Sequence, residues 1–283
     1  MLHIVRERGI RREVINYDYR PSGESSIRTR RTQSLPIILF DNREKLAATH
    51  DDIPAPILVF LGYGHSPQGT HRTIDWLAEQ GFSAVGAVLP FNHLPAGNAA
   101  LIQACGEMPH VVAESVRSTG KLSEESFSAL GHSQGGGVVG EAVAYKPDGI
   151  GNISLVAPVG CRMGATEMSN GQLSRELVVR FIENGQAQPL LEFETWRAAY
   201  GIVRQLGSDV LTRRFTEKVG CSMARNLQKT LVAHALRGNH VTLVTGEYDP
   251  VFPPQESATA LEAVQDYALA GDNIQHIIVA GAH

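Results

Sequence analysis

The chain has 283 residues and a formal net charge of −4, with 43% hydrophobic and 19% charged residues. This length allows one large α/β domain, or such a domain with an insertion, to bury a sizeable core. The composition is ordinary for a globular protein, and the acidic balance argues against nucleic acid as a partner. The sequence has no apolar run long enough for a membrane span, and residues 1–12 are too charged for a signal peptide.

The cysteine content does not indicate a disulfide-stabilised or zinc-binding protein. Cys105, Cys161 and Cys221 are too few for a disulfide framework, and no Cys-x-x-Cys pair is present. A reducing, cytoplasmic location is therefore expected. The sequence also lacks a His-Glu-x-x-His pattern or a comparable ligand cluster, so neither a metal nor a cofactor is predicted.

The first fifty residues contain two strand-like segments, at 14–19 and 35–40. A polar stretch with several arginines, 20–33, connects them, and an antiparallel hairpin at a sheet edge is the simplest interpretation. The arginines are typical of an edge strand that is protected by charge, with a binding patch as the alternative.

From residue 53 onward, apolar strands of the buried type alternate with helical patterns. Strands are predicted at 56–61, 83–89, 127–130, 153–159, 241–245 and 274–280. Helices are predicted at 73–80, 99–116, 138–145 and 255–269. Uninterrupted apolar strands of this kind are typical of an α/β fold, in which helices cover both faces of a mostly parallel sheet.

Between residues 161 and 237 the strand signal disappears, and three segments show helical spacing instead: 172–184, 190–206 and 223–236. A helical insertion in one domain explains this pattern better than two tandem domains, because the strands on either side complete a single sheet. The sequence therefore predicts a core formed by 1–160 and 238–283, with 161–237 as a helical cap.

Residues 127–136 have the pattern of a strand, a serine between glycines, and a helix. The centre of the pattern is Gly131-x-Ser133-x-Gly135. In a nucleophile elbow the turn from strand to helix is so sharp that neighbouring positions need glycine. The turn raises the serine hydroxyl above the sheet and points the N-terminus of the next helix at it. Ser133 is therefore predicted to be a catalytic nucleophile.

A serine nucleophile needs a base, and the base needs an acid to orient it. In an open parallel sheet, such groups follow the carboxyl ends of strands. Asp249 lies in the turn after the strand at 241–245 and is the preferred acid. Glu247 is the alternative carboxylate, and a purely turn-forming role is the alternative interpretation of Asp249.

Of the eleven histidines, only His283 closes a strand-like segment after the acid. His276 begins its strand-like segment and is expected at the opposite edge of the sheet, as is His240, so both are interpreted as surface or packing residues. His132 flanks the serine but is expected to point away from the reaction centre. The resulting order of serine, acid and histidine is the one expected for this kind of sheet.

The negative oxygen of a tetrahedral intermediate requires hydrogen-bond donors. The backbone N–H of Gln134, at the start of the helix, is predicted to supply one. The N–H of Tyr63 is predicted to supply the other, because Gly62 and Gly64 let this loop approach closely. A phosphate loop is the competing interpretation, but the third glycine of dinucleotide spacing and a Gly-Lys-Ser/Thr sequence are both missing.

With these residues in view, the chain resembles the α/β-hydrolase superfamily over nearly all of its length outside the cap. The resemblance is carried by Leu-Gly-Tyr-Gly at 61–64, Gly-His-Ser-Gln-Gly-Gly at 131–136, Gly-Glu-Tyr-Asp at 246–249 and Gly-Ala-His at 281–283. It implies an eight-stranded, mostly parallel sheet with a first antiparallel strand, a cap after the sixth strand, and acyl-enzyme chemistry at the serine without a cofactor.

Two features depart from the family pattern. Leu61 stands where family members often have histidine. Family members usually continue into a final helix, so the sequence is expected to be clipped after His283. The alternative is that the imidazole belongs to the terminal residue, beside a free carboxylate.

The sequence thus predicts a serine hydrolase that cleaves an ester, thioester or related acyl bond of a small molecule. An acyltransferase with the same triad, or a non-catalytic binding protein with the same fold, is the alternative. Apolar residues of the cap either line a pocket for an apolar acyl group or pack the cap itself: Leu177, Phe181, Leu190, Phe193, Trp196 and Tyr200.

Overall fold

The computed structural model describes residues 5–7, 9–20, 32–48, 53–62, 66–94, 98–119, 126–161, 179, 227–249 and 252–280. In these residues the chain forms one sheet with helices on both faces, and the predicted α/β class is confirmed. The strands are β1 (Val5–Glu7), β2 (Ile10–Tyr19), β3 (Gln33–Asp41), β4 (Ile57–Phe60), β5 (Ala84–Val88), β6 (Phe127–His132), β7 (Ile150–Val156), β8 (Val241–Gly246) and β9 (Ile274–Val279).

The strands lie in the order β1-β2-β3-β5-β4-β6-β7-β8-β9. Strands β4 to β9 are parallel to one another, whereas the pairs β1–β2, β2–β3 and β3–β5 are antiparallel. The predicted N-terminal hairpin is thus present as β2 and β3. The eight expected strands are β2 to β9, and the short β1 adds a further strand at the edge.

The α-helices of the described residues are α1 (Arg43–Ala47), α2 (Pro67–Glu79), α3 (Asn98–Ser118), α4 (Gln134–Tyr145), α5 (Leu227–Ala235), α6 (Pro254–Glu262) and α7 (Tyr267–Ala270). Helix α2 begins earlier than predicted because the Ser66 hydroxyl caps it, accepting from the Gly69 N–H at 3.2 Å. The helix predicted at 255–269 is divided into α6 and α7, since Asp266 has a left-handed φ of 68°.

Two hydrophobic clusters cover the two faces of the sheet. Alternate residues of β4 belong to different clusters: Leu58 and Phe60 to one, Val59 to the other. This division follows from the two-residue period of a strand, which points neighbouring side chains to opposite faces. Met108 of α3 packs in the first cluster, and Ile74 of α2 packs in the second.

Most of the predicted cap lies outside the described residues. Helix α5 falls within the predicted segment 161–237, yet Leu227, Leu231 and Ala235 are fully buried in the core cluster beside the sheet. This packing favours an insertion that ends before Leu227, and the division into core and cap stays a prediction. Among the described helices, none combines the length and hydropathy that a bilayer crossing requires.

Candidate active site

Ser133 lies on a strained turn between β6 and α4. Its φ is 53° and its ψ is −118°, a conformation that L residues rarely adopt and that functional sites often contain. The Ser133 N–H donates to the Val156 carbonyl at 2.9 Å, and the Gly136 N–H donates to the Ser133 carbonyl at 3.0 Å. These bonds hold the serine directly after a central strand, in the strand–turn–helix arrangement of a nucleophile elbow.

The glycines around Ser133 are required by close backbone packing. A Cβ on Gly131 would lie 2.6 Å from the Gly135 carbonyl oxygen, and a Cβ on Gly135 would overlap the Phe60 carbonyl oxygen. A Cβ on Gly136 would lie 2.5 Å from the Cβ of Pro158. Helix α4 therefore reaches the sheet only because these positions have no side chain.

Gly62, in the loop after β4, lies against the serine itself. A Cβ there would lie 2.9 Å from the Ser133 Cβ and 3.4 Å from Nδ1 of His132. The sequence predicts Gly62 only as a residue that lets an oxyanion donor approach, whereas the structure also places it against the serine. The predicted donor in this loop, Tyr63, lies outside the described residues.

Gln134 is the first residue of α4 and is 5% exposed. Backbone N–H groups of a first helical turn have no carbonyl partner four residues back, so they point out of the helix end. The Gln134 N–H thus belongs to the helix end beside the serine, where a developing negative charge would be favoured. Its role as an oxyanion donor stays a prediction.

Asp249 lies three residues beyond β8 and is only 2% exposed. Its Oδ1 accepts from the Phe252 N–H at 2.9 Å, and its own N–H donates to the Gly246 carbonyl at 3.2 Å. Glu247, the alternative acid, is exposed. A buried carboxylate is costly unless it is paired, so a buried position suits an acid that holds an imidazole better than an exposed one.

The register of the sheet relates the positions of Ser133 and Asp249. His132 pairs with Val156, Val156 pairs with Val244, and Val244 pairs with Ile277. Strands β6 to β9 therefore end at one edge, where Ser133 and Asp249 follow their strands. His283 comes four residues after Val279, the end of β9, and lies outside the described residues.

His276 and His240 have the packing and surface environments that the sequence predicts for them. His276 is half-buried, its Nε2 lies 2.8 Å from the Thr245 hydroxyl, and burial lowers the pKa of its imidazole. His240 is exposed, and its backbone N–H donates to Oδ1 of Asn152 at 3.0 Å. His276 thus contacts a neighbouring strand.

Comparisons with known proteins show a likeness in fold. No protein-family model matches the sequence, and no curated protein matches it. A peroxisomal α/β-hydrolase of Saccharomyces cerevisiae has a similar structure, with a TM-score of 0.60 and 13% identity over 97% of this chain and 83% of that one. A carboxylesterase of the thaumarchaeon Nitrososphaera gargenis has a TM-score of 0.54 and 16% identity, over 88% of each chain. At these identities the likeness concerns the fold, and the chain has the α/β-hydrolase fold.

Proposed function

We propose that the protein is a serine hydrolase that cleaves an ester, thioester or related acyl bond. In this proposal the Ser133 hydroxyl attacks the acyl carbon while His283 accepts its proton, and Asp249 holds the imidazole. The leaving group takes the proton from the imidazole and departs, which leaves the acyl group on the serine. Water, deprotonated by the same imidazole, then releases the acid and restores the serine.

The observation that carries the proposal is the conformation of Ser133. A positive φ at a non-glycine residue costs on the order of 1–3 kcal/mol and persists only where the surroundings impose it. Here the surroundings are three closely packed glycines and three backbone hydrogen bonds. A serine kept on such a turn at the N-terminus of α4 has the setting of an acyl-transfer nucleophile.

The chemistry and the similar structures support an ester as the substrate class. The Nitrososphaera protein is a carboxylesterase and the yeast protein an α/β-hydrolase, so a small-molecule ester is the first substrate to test. An apolar acyl group is proposed from the predicted cap. We also propose a reducing, cytoplasmic location, since Cys105 and Cys161 are free thiols.

Replacement of the serine tests the proposal. We expect the intact protein to hydrolyse short p-nitrophenyl esters, and Ser133→Ala to lower kcat/KM by roughly 10⁴-fold or more, since the nucleophile is lost. A fluorophosphonate probe should label the parent protein stoichiometrically and leave Ser133→Ala unlabelled. Ser118→Ala, at an exposed serine at the end of α3, is the control and should behave like the parent. Full activity in Ser133→Ala would overturn the proposal, and a parent that reacts with neither reagent would favour a non-catalytic pocket.

A further inference from the structure

The segment after β7, residues 157–161, contacts the serine turn at one end. Ala157 has a φ of 43°, which turns the chain out of the sheet. Its N–H donates to the Val244 carbonyl of β8 at 2.8 Å, and the Val159 N–H donates to the Ser133 carbonyl at 3.0 Å. Because Gly136 packs on Pro158, this segment supports the serine turn by both a hydrogen bond and direct contact.

The other end of the segment is joined to α6 by a reciprocal pair of hydrogen bonds. The Ser257 hydroxyl donates to the Cys161 carbonyl at 3.2 Å, and the Cys161 thiol donates to the Ser257 carbonyl at 3.8 Å. Both residues are 1% exposed. A hydroxyl at such a position is costly unless it is hydrogen-bonded, and here the bond joins two parts of the chain 96 residues apart.

The same helix is joined to the candidate acid. The Ser257 N–H donates to the Pro253 carbonyl at 3.3 Å. The residue before Pro253 is Phe252, which is 4% exposed and donates its N–H to Oδ1 of Asp249 at 2.9 Å. A continuous set of hydrogen bonds and short covalent steps therefore leads from the serine turn through 157–161 and Ser257 to the Asp249 carboxylate.

We propose that Ser257 and Cys161 are positioning residues, which fix the carboxylate of Asp249 relative to Ser133 by joining α6 to the segment 157–161. This inference rests on the proposed function, since it gives the hydrogen bonds between Ser257 and Cys161 a role in the same candidate active site. Elsewhere on its buried face α6 has apolar residues, Ala260 and Leu261. Apolar contacts lack direction, whereas a hydrogen bond fixes the distance between the two backbones.

The Cys161 thiol is suited to a purely structural role as the donor of a hydrogen bond to the Ser257 carbonyl. Burial raises the pKa of Cys161 to about 12, so the sulfur keeps its proton over the neutral range and continues to donate.

A double-mutant cycle on the full chain tests the proposal. We expect Ser257→Ala to lower kcat for p-nitrophenyl acetate by about 10-fold with KM nearly unchanged, because the reacting groups are displaced but the acyl site is not. Ser257→Cys, which keeps a donor of similar size, should restore most of kcat. In an Asp249→Asn background, Ser257→Ala should have no further effect, since it acts through the missing carboxylate.

Asn273→Ala is the matched control. Its Nδ2 donates to the Ala235 carbonyl at 3.0 Å and so also joins two elements, but it precedes β9, at the other end of the strands from Ser133. This variant should lower the melting temperature about as much as Ser257→Ala without lowering kcat. Equal losses of kcat in Ser257→Ala and Asn273→Ala would show that Ser257 is only a packing residue. The same conclusion would follow if the double variant lost kcat by the product of the factors measured for Ser257→Ala and Asp249→Asn.

Amide hydrogen exchange gives a readout that does not depend on activity. Loss of the Ser257 hydroxyl should accelerate exchange of the Phe252 and Val159 amides, which bond Asp249 and Ser133, and leave the β2–β3 amides unchanged. If the parent protein proves inactive but exchange changes in this way, the proposed function fails and the mechanical coupling stands. If exchange at both amides is unchanged, the coupling itself is refuted, whatever the activity.

Discussion

At the scale of single residues, burial separates the two candidate acids that the sequence offered. Asp249 and Glu247 lie two positions apart after the same strand, and their sequence contexts differ little. The structure buries Asp249 to 2% exposure and gives it a backbone N–H partner, whereas Glu247 is exposed. A carboxylate orients an imidazole effectively only where water does not compete for it.

Exchange of each carboxylate for its amide is the corresponding test. Asp249→Asn should lower kcat for p-nitrophenyl acetate by roughly 10³- to 10⁴-fold, because an amide no longer holds the imidazole in its active tautomer. Glu247→Gln changes the same functional group at an exposed site and should leave kcat unchanged. Steady-state kinetics of both variants at one pH decide which carboxylate is the acid. A larger loss of kcat in Glu247→Gln than in Asp249→Asn would assign that role to Glu247.

At the scale of elements, helix α4 depends on its glycines to approach the sheet. Gly135 lies so close to β4 that an added Cβ would meet the Phe60 backbone, which cannot move aside without disturbing a central strand. The position of Ser133 therefore depends on the contact between α4 and β4 as well as on its own turn.

Two glycine substitutions measure this dependence. Gly135→Ala should lower the free energy of unfolding by about 3 kcal/mol or more, since the clash is with backbone. Gly271→Ala is the matched control, because Gly271 has a φ of −56° and a Cβ there meets no atom within 4 Å. This variant should be neutral or more stable by roughly 0.4–1 kcal/mol, as the unfolded chain loses conformational freedom. Urea denaturation of both variants is the measurement, and equal stability would contradict the packing argument.

At the scale of the whole molecule, a buried and a half-buried histidine join helices to other elements, His234 to β7 and His110 to α4. His234 of α5 is 1% exposed, and its Nε2 donates to the Gly151 carbonyl at 2.7 Å. His110 of α3 donates from Nε2 to the Ala142 carbonyl at 3.0 Å. Burial lowers the pKa of both imidazoles from the ordinary value of 6.5, and nearby cations lower it further, Arg237 for His234 and Lys146 for His110.

These histidines should make the fold sensitive to mild acid. Above pH 6.5 the imidazoles are neutral in both the folded and the unfolded chain. As the pH falls below this value, the unfolded chain binds protons that the folded chain still excludes, so the free energy of unfolding decreases until the lower folded pKa is passed. His234→Gln should flatten this decrease in urea denaturation between pH 7 and 5, whereas His240→Gln, at an exposed ring, should not. If the free energy of unfolding depends on pH identically in the parent protein, His234→Gln and His240→Gln, then His234 does not cause the decrease.

The sequence by itself determined the α/β class, the hairpin of β2 and β3, and the order of the parallel strands along the chain. These features depend on local periodicity, which neighbouring residues encode. Element limits were less accurate where a cap or a strained residue decides them: Ser66 starts α2, and Ala157 ends β7 three residues before the predicted limit.

Only the tertiary structure decided the surroundings of Ser133 and of the other candidate site residues. The burial of Asp249, the contact of Gly62 with the serine, and the bond between Cys161 and Ser257 all join positions far apart in the chain. No local pattern encodes such contacts, because they arise from the register of neighbouring strands and the packing of helices against them. The sequence therefore predicted the residue types of a hydrolase site, and the fold decided which candidate carboxylate is buried and which backbone packs against Ser133.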